Sequence, residues 1–395
     1  MNFETVTEYL DSLRVQFDVR CCDCIVLKDH QTLYRHLTGT ADFEDTVPLT
    51  EQNLHDIFSA SKVMTVIAVM QLVEQAKISL DDELCLYLPE FKNMQVVQEF
   101  DLTDFISNAK FLAGWPDKKS KCAPAKNKIR LRDMLSMAAG FSYNFVSEAT
   151  LALIAKNPHA TTREIARAWS ESPLLYEPGT RYAYSYALDL LAAVVEIASG
   201  LRFATYMKRY VFDPAGASEM YYHIPDDKRA LRTDLYAFDN EKKQYIVSKE
   251  NPTRISDHYD SGGAGICCTV ESYAKVLDIL ANGGVAANGA RLLSQKSIDE
   301  IRKNRLDEQQ LMDFHIGGSK LEYGYGYGVR TLLDTTQSKS PFGEFGWDGA
   351  AGAYVLADPE NHLAVFYVQA APESGSAFST IHPTLRDLVY DAIKN

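Results

Sequence analysis

The chain lacks the marks that assign many proteins to a class at sight. No stretch is apolar for long enough to span a bilayer. The longest, around Val63 to Val73 and Leu188 to Ala198, are short and interrupted. The N-terminus, Met1-Asn2-Phe3-Glu4-Thr5-Val6, has no basic region followed by an apolar one, so the expectation is a cytoplasmic chain without a secretory signal. Positive charge is in deficit: 40 Lys and Arg stand against 53 Asp and Glu, a formal charge of −13. Such a surface repels phosphate, which argues against nucleic-acid and anionic-membrane partners. Cysteines number seven, an odd count scattered along the chain, which suits a reducing compartment better than a disulfide framework. Cys21 and Cys24 form a C-x-x-C with no second pair to complete a zinc site, and they read as strand cysteines. There is no H-E-x-x-H, no G-x-x-x-x-G-K-[ST] and no G-x-S-x-G. No metal and no other cofactor is therefore expected. Gly324, Gly326 and Gly328 alternate with tyrosines, which reads as a twisted strand rather than a dinucleotide loop.

What is present is ordinary enzyme composition, 46% hydrophobic and 24% charged over 395 residues, enough for a large core. Phe3, Val6, Leu10, Leu13 and Phe17 fall at helical spacing. Cys24 to Leu27 and Leu33 to Leu37 flank a polar turn and predict a hairpin. A second hairpin is predicted from Tyr354 to Ala357 and Leu363 to Gln369. Ala60 to Ala76 is apolar on almost every side, the pattern of a buried helix. Further helices are expected over Ile129 to Ala138, Thr162 to Ser170 with Thr161 or Thr162 as cap, Tyr186 to Ala198, Ser272 to Leu280 and Leu385 to Ile393. Pro116 to Lys128 reads as a surface loop. Strands at both ends with helices between them predict an α+β fold. One antiparallel sheet flanked by helices is built from both termini, residues 1–76 plus 260–395, and a mostly helical lobe, 77–259, is inserted.

The buried helix starts Ser59-Ala60-Ser61-Lys62, an S-x-x-K. Spacing three places Ser59 and Lys62 on one helical face. The helix N-terminus adds positive potential at the serine, and burial favours a neutral lysine able to act as a base. The bare motif is weak: about one or two matches are expected by chance. Ser107-Asn108-Ala109-Lys110 is a second, with no comparable buried helix behind it, and reads as chance.

Context makes the first match specific. "IFSASKVMTVIAVMQLVEQAKISLDDEL" resembles the active-site helix of the class C β-lactamase and family VIII carboxylesterase group, within the penicillin-binding-protein-like superfamily. "IRLRDMLSMAAGF", "EPGTRYAYSYALDLLAAVVEIASG", "SGGAGICCTVESYAKVLDILANGG" and "YGYGYGVR" resemble further blocks in family order. The resemblance spans about residues 20 to 390. It implies a β-lactamase/transpeptidase-like fold, a nucleophilic Ser59, Lys62 as its partner and Tyr184 as proton relay. Tyr184-Ser185-Tyr186 departs from the family's Y-x-N. With Asp189 it takes the form Y-S-x-x-x-D, which resembles the esterase and acyltransferase branch. Tyr186 stands at the asparagine position and is a candidate substrate contact, although packing is the plainer reading of Tyr182 and Tyr186. Phe345-Gly346-Trp347-Asp348-Gly349-Ala350 matches the K-T-G or H-x-G strand with Trp347 in place of the cation. By resemblance Trp347, Asp348 and Gly349 line the site, and the Ala350 and Ser59 N–H groups form an oxyanion hole.

The expectation is a serine hydrolase that forms an acyl-enzyme with a small-molecule ester or amide. A carboxylesterase comes first. A D-stereospecific peptidase or amidase, or a weak β-lactamase, is the same-class alternative, and a catalytically weak penicillin-binding-like protein the alternative of another class. A carboxylate at Asp348 facing the site would favour neutral or cationic acyl substrates; pointing away, it would pair with a nearby Lys or Arg.

Overall fold

The computed structural model describes residues 1–394 except 108–115, 117–118, 240, 243, 249–250, 317–319 and 372–374. The chain opens with helix α1 (Glu4–Phe17), then the hairpin β1 (Cys21–Lys28) and β2 (Gln31–Gly39). Helix α2 (Ser61–Glu74) follows the turn that carries Ser59. The middle segment supplies α3 (Ala187–Ser199) among shorter helices. Helix α4 (Val270–Ala281) precedes five strands: β3 (Tyr323–Tyr325), β4 (Arg330–Leu332), β5 (Phe345–Gly346), β6 (Tyr354–Asp358) and β7 (Leu363–Gln369). Helix α5 (His382–Lys394) ends the chain.

The strands form one seven-stranded antiparallel sheet in the order β3-β4-β5-β6-β7-β1-β2. N-terminal β1 pairs with C-terminal β7, Ile25 opposite Phe366, so both termini build the sheet as the sequence predicts. Alternation assigns the faces. Cys22, Cys24, Val26, Val365 and Tyr367 pack with Leu10, Leu13, Leu385 and Val389 of α1 and α5. Ile25, Leu27, Ala364 and Phe366 point the other way, into a core shared with α2, α3 and α4. Tyr273 of α4 stacks on Phe366 with ring centroids 4.0 Å apart. Helix α2 is covered on all sides, and that is why its sequence shows no polar face. The same core runs on through the middle of the chain to Leu135, Phe141 and Trp169.

Several local expectations hold. Thr161 caps the helix Thr162–Trp169, its hydroxyl accepting from the Glu164 N–H while the Glu164 carboxylate accepts from the Thr161 N–H. Helix α3 ends at Gly200, whose φ is 74°. Cys21, Cys22 and Cys24 are free and buried in β1, and burial pushes the Cys21 thiol up to about 12. Two expectations need correction. The Ile129 to Ala138 helix is only Leu131–Leu135, because Met137 turns to positive φ, 59°. The Pro116 to Lys128 loop contains a strand, Cys122–Pro124, paired with Gln95–Val97, a long-range pairing without a local pattern. Of the second S-x-x-K, residues 108–110 lie outside the described residues.

Candidate active site

Ser59 sits in a single turn of 3-10 helix, Phe58–Ala60, that feeds straight into α2. Phe58 has φ 45°, a left-handed conformation that bulky side chains rarely adopt. The glycine-rich turn at 261–265 holds this corner. Thr65 donates to the Gly262 carbonyl at 2.6 Å, and the Ser61 hydroxyl accepts from the Ile266 N–H at 3.1 Å. From the other side, Gly349 lies against the Ile57 carbonyl, where a Cβ would come within 2.1 Å of the oxygen.

Two polar side chains converge on the serine, and a third holds one of them. Lys62, fully buried, donates to Ser59 Oγ at 3.2 Å and to the Gly263 carbonyl at 2.9 Å. Tyr184, 125 residues further on, brings its hydroxyl to 2.7 Å from Ser59 Oγ. Trp347 donates its indole N–H to the Tyr184 hydroxyl at 3.2 Å and stacks on the same ring. The stretch carrying Tyr184 is pinned by an Ala183 N–H bond to the Met137 carbonyl and by a Tyr186 N–H bond to the Ser142 carbonyl. Ser59, Lys62, Tyr184 and Trp347 thus meet at one point, and Gly349 borders it. Ala350 follows Gly349 in the same turn and is exposed to solvent.

Two candidates do not belong to the pocket. Tyr186 is buried, its ring stacked on Trp169 at 4.4 Å and set against Phe141 and Phe145. It points into the core because the next residue begins α3, whose first turn rotates it away from Tyr184. Asp348 also turns inward. Its carboxylate accepts from Arg330 at 2.8 Å, is ion-paired with Lys320, and lies 3.9 Å from His382. Burial alone would raise this carboxyl; Arg330 and Lys320 outweigh burial and hold it well below the usual carboxylate range. Its charge is matched inside the protein by Arg330 and Lys320.

Sequence reasoning missed three contributors. Tyr143 packs its ring against that of Tyr184, tilted at 37° with centroids 5.0 Å apart, and interacts with the hydroxyls of Ser59 and Tyr184; burial, then Tyr184 and Asp189, push its phenol well above the ordinary range. Nothing in "GFSYNF" sets this tyrosine apart from a packing aromatic. Asp189, noted only as part of a pattern, is fully buried. Its Oδ1 accepts from Tyr259 at 2.7 Å, from Ser261 at 2.6 Å and from the Gly263 N–H at 3.0 Å, while Oδ2 has no partner among the described residues. Gly263 is the third. A Cβ there would stand 2.4 Å from Asp189 Oδ2 and 3.2 Å from Lys62 Nζ, so only glycine lets the carboxylate and the lysine share that spot. The signal was the Gly262-Gly263 pair, legible as a turn but not as a lysine seat.

Beside Tyr184 and Trp347 opens a cavity of about 250 Å³, walled by Tyr143, Phe105, Phe314 and Ile316. No helix among the described residues is long and apolar enough to cross a membrane.

Comparison with known proteins identifies the family. A sequence profile of the family described as Beta-lactamase matches residues 22–387. Lovastatin esterase of Penicillium rubens is 27% identical over 364 residues, covering 86% of each chain. Among solved structures, unliganded simvastatin synthase (LovD) of Aspergillus terreus superposes with a TM-score of 0.79 at 19% identity, covering 99% of this chain and 98% of its own. EstCE1, described as a hydrolase with promiscuous acyltransferase activity, gives 0.76 at 20% identity over 98% and 97%.

Proposed function

The chain belongs to the beta-lactamase family, and from that premise we propose that it is a carboxylesterase working through an acyl-enzyme on Ser59. The observation that carries the reading is the convergence of Lys62 Nζ and Tyr184 Oη on one serine oxygen, at 3.2 and 2.7 Å, from elements far apart in the chain. A serine hydroxyl is a poor nucleophile until a neighbour takes its proton. As Ser59 attacks the ester carbonyl, its proton passes to the Lys62–Tyr184 pair, the two groups within hydrogen-bond reach of Oγ. Tyr184 then hands a proton to the departing alcohol oxygen. The Ser59 and Ala350 N–H groups stabilise the oxyanion. Water attacks the acyl-enzyme along the reverse path and releases the acid. Lovastatin esterase supports an ester in place of an amide. The aromatic cavity walls favour an apolar or aromatic group on the substrate beside the scissile bond. An attraction for cationic substrates has no basis at Asp348, which turns inward to Arg330 and Lys320.

Intact mass after treatment with a fluorophosphonate tests the assignment. One adduct is expected on the wild type and none on Ser59→Ala. A Ser59→Ala protein that hydrolyses p-nitrophenyl acetate at the wild-type rate would sink it.

A further inference from the structure

In the reading above, Tyr184 gives its proton to the leaving oxygen. Tyr184 is also a wall of the 250 Å³ cavity, so the leaving alcohol occupies that cavity. Its walls are mostly aromatic, and two charged residues reach it, Asp313 and Lys320. Asp313 is saturated. It accepts two bonds from Arg181 at 2.7 and 2.6 Å, one from the Tyr182 N–H at 3.1 Å and one from Gln309 at 3.0 Å. Lys320 is different. Among the described residues its ammonium has a single hydrogen-bond partner, Asp348, and it carries three N–H donors. Nζ stands 6.0 Å from the Trp347 ring centroid, at the edge of the cavity.

Two features show that this ammonium is held in place. Lys320 has φ 57°, a left-handed backbone conformation that a lysine adopts only where its surroundings compel it. Its partner Asp348 is buried and fixed from behind by Arg330, itself 1% exposed. A surface lysine moves freely and recognises little; one anchored to a rigid buried carboxylate is a preorganised point charge.

We propose that Lys320 selects the leaving group: the substrate is an ester of an aromatic or compact apolar alcohol that carries a carboxylate, which the Lys320 ammonium binds. This rests on the Ser59 reading. It also gives both strand substitutions a purpose, since Trp347 then walls the ring and Asp348 positions the cation.

The test compares 4-acetoxybenzoate with its neutral counterpart 4-acetoxybenzamide on wild type, Lys320→Met and Lys320→Arg. The quantity read is the ratio of kcat/KM for the two esters in each protein, which cancels intrinsic reactivity between variants. Lys320→Met is expected to lower the ratio at least tenfold, chiefly through KM. Lys320→Arg is expected to keep most of it. A ratio unchanged in Lys320→Met overturns the proposal, as does an equal fall for both esters, which would make Lys320 merely structural. Calorimetric binding of 4-hydroxybenzoate to the same proteins reads the site without turnover. Binding that weakens at least tenfold in Lys320→Met supports the proposal, and equal or absent binding in wild type and variant overturns it. The fluorophosphonate separates the two readings: no adduct on Ser59 sinks the serine assignment, whereas a labelled Ser59 with no charge preference between the esters sinks only Lys320.

Discussion

Two buried carboxylates flank the proposed nucleophile, and they are stabilised in opposite ways. Asp348, behind Trp347, is matched by the cations Arg330 and Lys320. Asp189, beneath Lys62, is held at one oxygen by two hydroxyls and a backbone N–H, and its other oxygen is left bare beside the lysine. A buried charge answered by full charges is structural, because its field is cancelled nearby. A buried charge answered by neutral dipoles keeps its field, and here that field falls on Lys62. The difference assigns Asp348 to scaffold and anchoring, and Asp189 to Lys62 of the proposed site.

The largest effects should lie on the Asp189 side. Lys62→Ala and Tyr184→Phe are each expected to lower kcat by about two to four orders of magnitude, the size of general acid–base assistance. Both serve one serine proton, so the double variant should fall little below the worse single one. Fully additive losses, measured on p-nitrophenyl acetate, would break the shared relay and with it the claim that Asp189 acts through Lys62.

On the Asp348 side the expected loss is stability. Arg330→Met removes the cation behind Asp348 and leaves a buried charge short of a partner, a change that costs about 3–5 kcal/mol. Urea unfolding should show it as a lower midpoint at unchanged slope. Asp348→Asn should cost less, since Arg330 keeps the Glu344 carboxylate at 3.5 Å and the Val355 carbonyl at 2.9 Å. A variant at Arg330 as stable as wild type would remove the scaffold reading.

Asp189→Asn is the sharper probe of the comparison and smaller in effect. The amide oxygen can keep the three accepted bonds, while an N–H₂ replaces the bare oxygen beside Lys62. A kcat loss of about ten- to a hundredfold with an unchanged urea midpoint is expected. A wild-type rate and pH profile would reduce Asp189 to a pin for the 261–265 turn.

The sequence made one half of this comparison legible and hid the other. An all-apolar helix with S-x-x-K at its start is a local pattern, and so are the hairpins that join the two termini in one sheet. Tyr184 was visible through its resemblance block. The directions of Tyr186 and Asp348 were not. Tyr186 is decided by where α3 begins, and Asp348 by Arg330 and Lys320, 18 and 28 residues away on other segments. Neither spacing nor composition encodes such pairings. Tyr143 and Lys320 stayed hidden for the same reason: an aromatic and a lysine are common on any chain, and only the fold places them beside Tyr184 and Trp347.

A third buried carboxylate, outside the site, shows what happens between the two extremes. Asp23 in β1 has one cation, Arg35 at 2.7 Å, and one oxygen without a partner among the described residues. Burial raises its carboxyl to about 7, with Arg35 only partly offsetting it. The folded protein therefore binds a proton between about pH 4 and 7 that the unfolded chain has already released. More protons on the folded state means that stability falls as pH rises through this window. At pH 5 most of the contribution is intact; by pH 8 it is gone. Asp23→Asn removes the titration and keeps an oxygen for Arg35. Relative to wild type, the variant should gain on the order of 2 kcal/mol between pH 5 and pH 8, read from paired urea curves at the two pH values. A difference that stays flat, or grows toward low pH, would mean that Arg35 alone neutralises Asp23 and that a single cation suffices where Asp348 uses two.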